Sequence, residues 1–133
     1  MPTQMESGAP ENFAPRGMLR NLDTFTRAYL SCALWSSTAE DGTPLDASYG
    51  PEDIAPETLA DMIEDCRNFQ EAQAADLQDP EQDGHDFWLT RNGHGAGFWD
   101  RGYGPRGGRL SKACKPYGTV DLYIGDDGKV HGS

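Results

Sequence analysis

His85, His94 and Asp100 are the residues of this chain best suited to acid–base or metal chemistry. Two imidazoles and a carboxylate are a known ligand set for a divalent ion. Imidazole also titrates near neutrality, as a general acid or base must. All three fall within residues 84–102, which also hold Phe87, Trp88, Phe98 and Trp99. Their spacing argues against a shared centre. Phe87 and Leu89 alternate with Trp88 and Thr90, the period of a strand, and Asn92-Gly93 tolerates positive φ and reverses a chain. In the resulting hairpin His94 sits at the turn, while His85 and Asp100 lie near the open end, several residues away at ~3.3 Å each. A small metal-dependent enzyme or ligand-binding protein built on His85, His94 and Asp100 is therefore the alternative reading. The leading one is not an enzyme, and no cofactor is expected.

Other chemical signals are weaker. Gly93-His94-Gly95-Ala96-Gly97 opens a strand rather than a helix, and no Lys-Ser/Thr follows, so its glycines serve a turn instead of a phosphate. Asp79, Glu81, Asp83 and Gly84 imitate the start of a calcium loop, but the twelfth position is Thr90 where a bidentate glutamate is required. No serine stands in a nucleophile elbow. Cys32, Cys66 and Cys114 are odd in number and far apart, which fits neither a disulfide framework nor a zinc motif. Trp88, Trp99 and Arg101 could form a platform for a ligand or partner, since aromatics and arginine dominate interface hot spots, but the favoured reading is that the aromatics cover the two helices as core.

Charge is the more informative feature. Residues 1–86 carry 18 Asp/Glu and 4 Lys/Arg, a net of −14, whereas residues 87–133 carry 4 and 7, a net of +3. The total is −11, and the acidic half is not expected to bind nucleic acid directly, because it would repel phosphates. Pro56 suits the first turn of a helix. Leu59, Met62, Ile63, Cys66 and Phe69 form its apolar stripe, and Glu57, Asp61, Glu64, Asp65 and Glu71 its outer face. Like charges three and four apart cost a few tenths of a kcal/mol each, and only Arg67 offsets them.

These segments belong to one domain at residues 22–133, preceded by a flexible arm at residues 1–21 rich in proline and glycine. Asp23 or Thr24 caps a first helix running to about Ser36, with Phe25, Ala28, Tyr29, Cys32 and Trp35 on one face. A second helix begins at Pro56, and a short one spans residues 109–115. Val120, Leu122 and Ile124 alternate with polar positions, and Gly125-Asp126-Asp127-Gly128 turns the chain into a last strand at residues 129–131. The expected fold class is α+β. Two N-terminal helices pack on an antiparallel sheet built from two β-hairpins with a short helix between them, in the order α-α-β-β-α-β-β.

The run from His85 to Asp100, followed by Tyr117-Gly118 and Val120-Asp121-Leu122-Tyr123, resembles small proteins encoded by bacteriophages and prophages. The likeness spans residues 22–131. It implies a phage accessory protein acting in the host bacterial cytoplasm. The expected partner is a host protein of the nucleic-acid-binding defence kind, and the charge distribution supplies the face that would meet it, with Glu57, Asp61, Glu64, Asp65 and Glu71 mimicking nucleic acid. No membrane association is expected, because no apolar run is long enough to span a bilayer.

Overall fold

The structure is a computed structural model that describes residues 19–93 and 97–133, apart from the side chain of Asp100. Helix α1 spans Thr24–Ser36, α2 Pro56–Ala72, α3 Pro80–Arg91 and α4 Pro105–Cys114. Two short strands, β1 (Leu122–Ile124) and β2 (Val130–Gly132), close the chain as an antiparallel pair with Tyr123 opposite His131. Among the described residues no helix is long and apolar enough to cross a membrane. Most of the expected arm lies outside the described residues, but Leu19 near its end packs against the core, as does Leu22 at the start of the domain.

Local chemistry explains the ends of the helices. Asp23 accepts a hydrogen bond from the Thr26 N–H at 2.9 Å and caps α1. Pro56 and Pro80 open α2 and α3, where a missing N–H has no intrahelical partner to lose. Asp79 caps α3 by accepting from the Gln82 N–H.

The expected two-hairpin sheet is overturned. The segment assigned to the first hairpin is instead the central helix α3, followed by a 3-10 turn at Phe98–Asp100. The only strand pair among the described residues is β1–β2, and its outer edge is tied by the Ala55 N–H to the Val130 carbonyl. The physical reason lies in burial. Gly84, Asp86, Phe87, Trp88, Leu89 and Arg91 of α3 are all buried, so the helix meets protein on most of its circumference and shows no clean 3.6-residue stripe. Asp79-Pro80, with Glu81 and Asp83 in the next turn, was the usable start signal.

Helix α3 is what the core forms around. Phe87 stacks on Phe69 of α2 with centroids 4.1 Å apart, and Tyr117 meets Phe87 edge-on at 5.2 Å. Tyr29 of α1 takes the edge of Trp88 at 5.4 Å. Each such pair adds ~0.5–1.5 kcal/mol beyond the area it buries. Trp88 also donates its indole N–H to the Ser36 hydroxyl at 2.8 Å, which satisfies the one polar atom it carries inside. Helices α1 and α3 approach so closely that a Cβ on Gly84 would lie 2.0 Å from the Phe25 carbonyl oxygen.

Candidate functional site

Folding distributes the carboxylates unevenly between neutralised and open positions. Three of them from the acidic half meet arginines of the tail. Arg91 reaches Asp65 at 2.8 Å, Arg101 reaches Asp86 at 2.7 Å, and Arg109 reaches Asp76 at 2.7 Å. On the outer face of α2, Glu64 and Glu71 flank Arg67 at 2.6 and 3.6 Å. Glu57 and Asp61 are exposed, and among the described residues no basic side chain pairs with them. The five acidic residues expected on this face are thus all on α2, but Asp65 is drawn inward and half-covered. Glu64 is held below the usual carboxylate range by its hydrogen bond from Arg67 and by that charge.

Asp65 is drawn in by the most enclosed cation of the fold. The Arg91 guanidinium donates to the Tyr29 hydroxyl at 2.9 Å, to Asp65 at 2.8 Å, and to the carbonyls of Gly118 and Tyr117 at 2.9 and 2.6 Å. It also lies 5.6 Å from the Phe87 ring centre and 5.8 Å from that of Tyr117. This cluster ties α1, α2, α3 and the segment before β1 together. Sequence reading overlooked Arg91, although an arginine inside an aromatic run was a visible signal.

A cavity of about 350 Å³ opens beside the acidic face. Asp61, Glu64 and Asp65 line it, together with Arg91, Met62, Tyr117, Thr119, Val120, Thr58, Gly132 and Ser133.

The histidine and aromatic candidates separate. His94 and the side chain of Asp100 lie outside the described residues. His85 lines a broad cleft of about 630 Å³ between α1 and α3, together with Arg27, Ser31, Gln82 and Arg101. Its Nδ1 stands 3.7 Å from the fully buried Asp86, too far for a hydrogen bond, and has no hydrogen-bond partner among the described residues. Asp86 instead accepts from Arg101 through two nitrogens and from Gln82 at 3.1 Å. Trp35, half-exposed, has its ring centre 6.2 Å from that of His85. His131 is remote from this group in partnership, facing Asp127 at 3.0 Å and stacking on Tyr123.

The expected platform does not form as a unit. Trp88 is 2% exposed and belongs to the core, Trp99 is 57% exposed, and Arg101 is committed to Asp86. No group of three or more metal-ligating side chains occurs among the described residues. The cysteines are buried and unpaired, and burial pushes the thiols of Cys32 and Cys114 up to about 12. A thiolate nucleophile is therefore not populated at neutral pH.

No protein family, curated protein or solved structure matches this chain.

Proposed function

We propose that this is a non-enzymatic binding protein whose partner docks on the outer face of α2. One observation carries the reading. After the tail arginines have neutralised Asp65, Asp76 and Asp86, the row Glu57, Asp61, Glu64 and Glu71 still faces solvent, and among the described residues Arg67 is the one cation paired with it. Carboxylates in a row complement an arginine- and lysine-lined surface of the kind that holds nucleic acid. From the resemblance to phage-encoded proteins alone we infer a bacterial host as the context, a host nucleic-acid-binding protein as the partner and counter-defence inhibition as the role.

Capture of host proteins on the tagged chain, repeated as salt is raised, tests this. The expected partner elutes with rising salt, because exposed charge pairs are screened, and is displaced by duplex DNA. A triple variant, Glu57→Lys with Asp61→Lys and Glu64→Lys, leaves Asp65 and its arginine untouched. It is expected to fold and to retain nothing. Retention of the same partner by the folded triple variant removes the reading.

A further inference from the structure

The 350 Å³ groove beside this face has a divided lining. Asp61, Glu64 and Asp65 contribute carboxylates to its lining, Arg91 a guanidinium, and Met62, Val120 and Tyr117 apolar surface. Resting on the reading above and deepening it, we propose that the groove receives one arginine side chain of the basic partner.

Three features select arginine. An arginine side chain has an apolar stem and a planar charged head, and it buries the stem on apolar surface while the head stays with polar groups. Met62 and Val120 suit the stem, and Asp61 and Glu64 suit the head. Charge complementarity favours the cation: Asp61 has no basic partner among the described residues, and Glu64, which accepts from Arg67 and from the Asn68 amide, has both of these donors exposed. The groove's own lining shows the same pairing at work. There the chain's Arg91 lies 2.8 Å from Asp65 and 5.8 Å from the Tyr117 ring centre, so this carboxylate–aromatic surface already accommodates one guanidinium. Arg91 does not repel a second one strongly. It is 6% exposed and surrounded by Asp65, Tyr29 and two carbonyls, whereas Asp61 is exposed and has no basic partner among the described residues.

The probe is the capped tripeptide acetyl-Gly-Arg-Gly-amide, set against its citrulline analogue, which keeps the shape and lacks the charge. Binding is followed by amide chemical shifts and calorimetry at fixed ionic strength. The arginine peptide is expected to give saturable shifts at Asp61, Glu64 and Thr119, with citrulline weaker by about tenfold or more, as a charge-assisted contact predicts. Thr119→Trp fills the groove and leaves every carboxylate in place, and it is expected to weaken the arginine peptide similarly. Thr119→Arg, which supplies a competing cation, is the second variant should the tryptophan disturb the fold. Equal binding of arginine and citrulline overturns the groove. So does undiminished arginine binding in both Thr119 variants. If the triple lysine variant loses the captured host partner while the Thr119 variants keep it, the groove fails and the acidic face stands. If the triple variant keeps the partner, the face itself fails.

Discussion

Arg91 donates to Asp65 at 2.8 Å from a side chain that is only 2% exposed. That contact joins α3 to α2, and the remaining donors of the same guanidinium join them to α1 and to the turn before β1. Removing one member of a buried charged network leaves its partners desolvated and unpaired, at a cost of about 3–5 kcal/mol. Arg91→Met strands the Tyr29 hydroxyl, Asp65 and two carbonyls together. It is expected to lower stability by that amount in urea titration, whereas Asp65→Asn, whose side chain is partly open to water, costs visibly less. Equal stability of wild type and Arg91→Met contradicts this account.

Gly84 and Gly108 make a paired test of helix packing. A Cβ on Gly84 meets the Phe25 backbone carbonyl, and backbone cannot step aside as a flexible side chain can. Gly84→Ala is expected to separate α1 from α3 and destabilise by at least ~1–3 kcal/mol. Gly108 sits in α4 with nothing within 4 Å of its missing Cβ. Gly108→Ala is expected to stabilise by up to ~1 kcal/mol through helix propensity. Thermal melts of the two variants should move in opposite directions.

Gly97 explains a further close approach. Its φ is +145°, and Thr90 occupies the place where a Cβ would stand, with the Thr90 hydroxyl accepting from the Phe98 N–H at 3.1 Å. Gly97→Ala is expected to break this clasp between α3 and the 3-10 turn and to lower the melting temperature, while Thr90→Ser, which keeps the hydroxyl, should be mild. A Gly97→Ala melt coincident with wild type counts against the clasp.

Asp23 gives a prediction in pH. Burial raises its carboxyl, but hydrogen bonds from Thr26 and Gln70 outweigh that and hold it below the ordinary 3.8. A carboxylate depressed in the folded state stabilises above its unfolded value and loses that contribution as pH falls through the folded one. Asp23→Ala is expected to cost ~1 kcal/mol at neutral pH, the usual worth of a helix cap. The gap between variant and wild type should close as pH drops below 3.8. A gap unchanged in acid would show that the charge is immaterial.

The cysteines are expected to be silent in the native state. All three are buried, burial lifts Cys66 well above the usual thiol range, and Cys32 and Cys114 reach about 12. A colorimetric thiol reagent at neutral pH should report no fast thiol until denaturant is added, then 3 per chain. A rapidly reacting native thiol would refute the packing described here.

Four elements were legible before any coordinates. Asp23 and Pro56 mark the starts of α1 and α2, Gly125-Asp126-Asp127-Gly128 between alternating residues marks the β1–β2 hairpin, and the cationic segment 109–115 marks the latter part of α4, whose start at Pro105 lies ahead of the expected helix. Each is announced by a local rule: a cap, a fixed φ, a turn dipeptide or a period of two. The acidic outer face of α2 was legible for the same reason, since a helix places residues three and four apart side by side.

Helix α3 and the fate of individual charges were decided only by the tertiary structure. Phe87, Trp88 and Leu89 occur in succession, which a strand and an all-round buried helix tolerate equally, and packing against α1 and α2 chose the helix. Which carboxylates stay open depends on where Arg91, Arg101 and Arg109 come to rest, and those partners lie 26, 15 and 33 residues away in the chain. Local chemistry writes the ends of helices and the sign of a face. Contacts between distant residues determine which element fills the centre and which charges remain to meet a partner.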